Sequence, residues 1–170
     1  LKDSPFISQE TKKLVKDYAK KNNYKPNVLA LNLRTSKSNT IGVIIPQLVH
    51  HFFSSVLSGI EEIATNAGYN LLVAQSNEKY EKEVQIVNSF LAARVCGVIA
   101  SIAKDTTDPS HFQELIDNDI PIVFYDRICP DINTERVVVD DYAGAFAAVE
   151  YMIQTGCKRI FFYSAPLNLE

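Results

Sequence analysis

The sequence predicts a doubly wound α/β fold around a parallel sheet, preceded by part of a small helical unit. Three observations carry that expectation. From residue 41 onward, short apolar runs of strand length alternate with amphipathic stretches of helix length, the pattern of repeated βαβ units. The first of these runs, Ile41 to Ile45, holds no charged residue, as suits a strand covered on both faces. The charge is also divided: residues 1 to 40 carry nine Lys and Arg against three Asp and Glu, a balance of +6, whereas the remaining 130 carry −9.

Along the chain, Ser8 is placed to cap a helix from Gln9 to about Asn22. Leu14, Val15, Tyr18 and Ala19 form its apolar stripe, and lysines occupy the other side. One helix makes no core. Because the sequence opens at Leu1 without methionine, residues 1 to 23 read as the remainder of a helical domain. A polar linker, Ser36-Lys37-Ser38-Asn39, precedes the strand at Ile41 to Ile45. A helix then runs from about Phe53 to Asn66 and ends at the turn signal Ala67-Gly68. Strand Leu71 to Ala74, helix Glu81 to Ala92 and strand Gly97 to Ala100 continue the cycle, followed by helix Ser110 to Asp117 and strand Ile122 to Tyr125. A short strand Val137 to Val139 leads to a helix from Tyr142 to Gln154 that Gly156 ends, and a last strand is expected over Arg159 to Tyr163. Right-handed crossovers make such a sheet parallel and place ligands beyond the carboxyl ends of its strands.

Composition excludes several classes. A chain of 170 residues, 46% hydrophobic, suffices for one ordinary domain and an appendage. No run approaches the ~18 to 20 apolar residues of a membrane span, and the first residues lack a secretory pattern, so a cytoplasmic protein is expected. Cys96, Cys129 and Cys157 are odd in number and widely spaced, which encourages neither a disulfide framework nor a zinc site. His50-His51 lacks a third ligand nearby, and no cofactor is implied. Phosphate-binding glycine loops and the G-x-S-x-G nucleophile elbow are absent, so an enzyme is not expected.

Between Tyr24 and Pro46 lies a segment whose helical part, Val28 to Arg34 capped by Asn27, is too short to be stable in isolation. Leu29 and Leu33 share one face, with Arg34 and Lys37 beyond them. That combination suits either packing beneath a neighbouring domain or wedging into DNA while cations meet phosphates.

At the strand ends, Phe52 and Phe53 are placed either to line a pocket or to enter the core. Asp126-Arg127, after the fourth strand, can bind hydroxyls of a polar ligand or close the strand with an internal ion pair. Ser101 falls beside them. Asp140 and Asp141 read first as helix caps.

The basic helix, the leucine segment, TIGVIIP with the following FF, YDR, VVVDDYAGAFAAVEYMIQTGCKRI and SAPL together resemble the lactose-repressor family of bacterial transcription regulators, over nearly all of the chain. The resemblance implies residues 1–25 as the remainder of a helix-turn-helix DNA-binding domain, 26–40 as hinge helix and linker, and 41–170 as the first lobe of a periplasmic-binding-protein-like effector domain, ending before the second lobe. It also implies a repressor that binds operator DNA as a homodimer and answers to a small-molecule effector, a sugar or sugar derivative. Leu33 matches the hinge leucine wedged into the minor groove, Ala30 its small neighbour between paired hinges, and Tyr24 and Asn27 backbone-contacting positions; Arg34 adds a cation. Phe52, Phe53, Ser101, Asp126 and Arg127 match positions lining the effector cleft. The competing class is a periplasmic-type sugar receptor without DNA binding. A chain holding one lobe of two is further expected to be marginally stable or poorly soluble alone.

Overall fold

The computed structural model describes residues 5–24 and 38–163. They fall into two compact units, one within residues 1–38 and one within 39–170, each described by itself.

The first unit contains helix α1, Gln9–Lys21. The Ser8 hydroxyl accepts from the Thr11 amide at 3.2 Å and so satisfies one of the donors a helix start leaves open. Glu10 in its first turn and Lys20 and Lys21 in its last complement the helix dipole. Leu14, Val15 and Tyr18 are all exposed, so the apolar stripe finds no cover among the described residues of this unit.

The second unit contains β1 (Thr40–Ile45), α2 (His51–Asn66), β2 (Asn70–Gln75), α3 (Tyr80–Ala93), β3 (Gly97–Ala100), α4 (Ser110–Asp117), β4 (Ile122–Tyr125), β5 (Glu135–Val137) and α5 (Asp141–Gln154). The strands form one sheet in the order β2-β1-β3-β4-β5, parallel throughout. Alternation of side chains across the sheet divides the core. Ile44, Val98, Ile122 and Phe124 meet Val87 and Phe90 of α3 and Phe112 and Leu115 of α4 on one face. On the other face Val43, Ile45 and Tyr125 meet Phe53 of α2. Helices on both faces explain why Val43, Ile44 and Ile45 of β1, an interior strand of the sheet, are completely buried.

Two glycines have definite work. Gly42 lies under Phe90, where a Cβ would stand 2.5 Å from the ring, so α3 can seat only on a strand bare at that point. Gly68, with φ of 82°, turns the chain out of α2 into β2.

Two expected elements differ. The last strand of the sheet occupies 135–137 rather than 137–139, because β4 pairs through Val123–Tyr125 and then bends at Asp126, whose φ is 60°. The Asp126 amide donates to the Val137 carbonyl at 3.1 Å, and beyond that point β4 has no ladder left to offer Val138 and Val139. Residues 159–163 form no strand: among the described residues no sheet edge supplies the backbone partners that a strand requires. Helix α5 buries none of its residues.

Candidate functional site

The carboxyl ends of the parallel strands deliver five loops to one edge of the sheet, and a cavity of about 390 Å³ opens among three of the segments there. The β3–α4 loop from Ile102 to Pro109 forms one wall, residues 126 to 131 the other, and Asp141 stands at the start of α5. Cavities at this end of a parallel sheet are formed by loops, which vary freely while the strands hold them in place.

Arg127 organises one side. Its Nη1 donates to both carboxylate oxygens of Glu78, at 3.0 and 2.9 Å, and its guanidinium lies 5.6 Å above the centre of the Phe53 ring. Its Nε is 3.9 Å from Asp126, too long for a hydrogen bond, so the principal acidic partner of Arg127 is Glu78 and not its neighbour in sequence. Glu78 and the preceding Asn77 both hold positive φ, 60° and 54°, which turns the loop after β2 toward the cavity. Burial pushes the Asp126 carboxyl above its ordinary range; Asp141 and Glu78 push it the same way, and Arg127 opposes them.

The opposite wall hangs on two carboxylates from the beginning of α3. The Ala103 amide donates to Glu83 at 2.7 Å, and the next amide, that of Lys104, donates to Glu78 at 3.0 Å. Glu83 is 0% exposed; it also accepts from the Thr106 hydroxyl at 2.6 Å, and His111 Nε2 sits 3.1 Å from the same carboxylate. A buried carboxylate is tolerable only with such a set of donors. Outside the wall, Lys79 and Asp105 pair at 2.7 Å on the surface.

Asp126 and Arg127 thus stand together in the cavity wall. Phe53 is 4% exposed, takes part in the core against Tyr125 and reaches the site through the Arg127 guanidinium above it. Phe52 is 52% exposed, packs edge-on against Phe53 at 5.2 Å and does not line the cavity. Ser101 is fully buried behind the wall, its amide donating to the Ile44 carbonyl. The Ser101 hydroxyl and the Tyr125 phenol, on adjoining strand ends, are buried without a hydrogen-bond partner among the described residues. Burial raises the Tyr125 phenol well above its usual range, so it stays protonated. Asp140 caps α5 by accepting from the Ala143 amide at 2.8 Å, whereas Asp141 faces the cavity. Tyr24 is exposed just beyond α1; Asn27, Ala30, Leu33 and Arg34 lie outside the described residues.

Sequence reading passed over Glu78 and Glu83. Glu83 carries a detectable signal, since it falls on the stripe of α3 that buries Val87 and Phe90, a position where an acid must have partners. Glu78 carries only its place in a strand-end loop.

A family model described as a periplasmic binding protein domain matches residues 41–159. Catabolite control protein A of Priestia megaterium is 32% identical over 165 residues, covering 97% of this chain and 49% of that protein. The chain therefore spans about half the length of this curated relative. A solved periplasmic binding protein/LacI transcriptional regulator from Alkaliphilus metalliredigens, complexed with D-xylulofuranose, is 30% identical with a TM-score of 0.65, covering 78% of this chain and 47% of that one. The lac repressor dimer bound to operator and the anti-inducer ONPF shares the fold, with a TM-score of 0.81 over 98% of this chain and 50% of that one, at 23% identity.

Proposed function

The chain belongs to the periplasmic-binding-protein domain family, in the form carried by lactose-repressor-type regulators, and from that premise we propose that the protein is a sequence-specific DNA-binding transcriptional repressor controlled by a small-molecule effector, a sugar or sugar derivative. One observation carries this over a receptor that binds sugar alone. The family domain begins at residue 41, yet the likeness to a control protein spans 97% of the chain, and the additional N-terminal part is the strongly basic one. A positive segment gains affinity for DNA by releasing condensed counterions; a sugar receptor has no use for it.

In this reading residues 1–25 belong to the DNA-reading domain, 26–40 to a hinge, and 41–170 to the first effector lobe. Two copies pair on operator DNA, where Leu33 wedges into the minor groove beside Ala30 of the paired hinge, and Tyr24, Asn27 and Arg34 meet the backbone. The effector binds against Asp126 and Arg127, with Phe52, Phe53 and Ser101 supporting that edge of the sheet. Its occupancy shifts the arrangement of the lobes and hence the spacing of the hinges. The protein works in the cytoplasm and catalyses no reaction. The test is Leu33→Ala in the full-length protein: operator affinity should fall by more than about tenfold, equivalent to roughly 1.4 kcal/mol, with effector affinity unchanged. An equal loss of both would overturn the hinge assignment.

A further inference from the structure

Resting on the reading of this cavity as an effector site, we propose that Glu78 sets the class of effector, because by occupying Arg127 it makes the cavity a site for an uncharged polyol and closes it to a phosphorylated sugar. An arginine in a strand-end cavity is ordinarily a strong phosphate ligand, since its fork of N–H donors matches two phosphate oxygens at once. Here one nitrogen of that fork, and the charge it carries, are engaged by an acid. Nη1 spans both oxygens of Glu78, at 3.0 and 2.9 Å, and the guanidinium face lies on the Phe53 ring. Glu78 is itself held in place by the Lys104 amide at 3.0 Å, so the pair is anchored to the opposite wall rather than swinging free. Both members are largely buried, which preserves the attraction between them.

Charge in the wall points the same way. Asp126, Asp131 and Asp141 line the cavity against Lys104 and Arg127, and the charge of Arg127 is matched by Glu78. A phosphate bringing about −1.5 to −2 would enter a field already negative. The Asp126 carboxyl is raised chiefly by burial; Arg127 opposes that, and Asp141 and Glu78 add to it. Sugar hydroxyls, by contrast, donate well to carboxylates and need no compensating cation. Glu78 is accordingly a positioning and selecting residue, which acts through Arg127.

The experiment is calorimetric titration of the full-length protein with neutral pentoses and hexoses, with fructose 1-phosphate and with inorganic phosphate, repeated on Glu78→Gln. The wild type should bind a neutral sugar at least about tenfold more tightly than the phosphorylated probes, and Glu78→Gln should gain about tenfold for phosphate while losing affinity for the neutral sugar. A wild type that prefers the phosphorylated probe, or a folded Glu78→Gln with unchanged selectivity, overturns the role of Glu78 and leaves the sugar-effector reading standing. Failure of every sugar to bind the wild type overturns both. Should Glu78→Gln not fold, Asp131→Asn removes a rim charge without touching the Arg127 pair; a gain for phosphate of about threefold supports the charge argument, and no gain overturns it.

Discussion

Asp126 combines two unusual conditions, a φ of 60° and a carboxyl whose ionisation the surroundings oppose. Burial is the first cause; Arg127 opposes it, and Asp141 and Glu78 add to it. Since the folded-state pKa is raised, the favourable contribution of this residue is complete below the unfolded Asp value, about 3.9, and is lost as pH rises through the folded value. Asp126→Asn removes that loss and keeps a residue type that accepts positive φ. The variant should melt somewhat higher than the parent at pH 7, with the difference vanishing toward pH 3, as thermal denaturation followed by circular dichroism would record; a lower melting temperature at pH 7 would contradict this account. The pair Asp126-Arg127 was legible in the sequence because both residues are contiguous and stand where a buried strand surfaces. Glu78 was not. Its pairing with Arg127 spans 49 residues and exists only because the folded sheet brings the loop after β2 to the loop after β4.

The elements of the α/β unit were the most readable part of the chain, and the reason is packing. β3, β4 and α4 begin and end where hydrophobic periodicity and turn residues place them, because each is fixed on both sides by buried neighbours. β5 escaped by two residues, since its limits depend on where its partner bends and not on its own valines. Seating of α3 on β1 gives a sharp test at this scale. Gly42→Ala would set a methyl 2.5 Å from the Phe90 ring, displacing a side chain that is almost fully buried. Overpacking of that kind costs about 1 to 3 kcal/mol, so chemical denaturation should show a lower midpoint with an unchanged slope. Phe90→Leu combined with Gly42→Ala should recover part of the loss; a neutral Gly42→Ala would show that α3 seats more loosely than described.

At the scale of the whole molecule, two properties stand apart from the core. One is the charge division, legible at once from the sequence, which sets a +6 segment before a −9 body. The other is apolar exposure, which no periodicity announces: Tyr142, Phe146 and Ile153 of α5 and Phe161, Phe162 and Tyr163 after it are all exposed. An apolar expanse of this kind favours association. The chain of 170 residues, purified as such, should bind an apolar fluorescent dye and sediment with a mass that grows with concentration; a dye-silent monomer would refute this. The segment from Tyr24 to Pro46 left packing and DNA wedging both open, since a helix too short to persist alone leaves weak local signals, and its assignment as a hinge rests on family likeness.

The consecutive amides of Ala103 and Lys104 are tethered to Glu83 and Glu78, which flank the start of α3, and α3 in turn bears on the middle of β1 through Phe90 and Gly42. The cavity wall is thereby geared to an interior strand of the sheet. A molecule that tugs on residues 102 to 106 does not merely deform a loop; it loads the front turn of a helix and, through it, a strand buried on both faces.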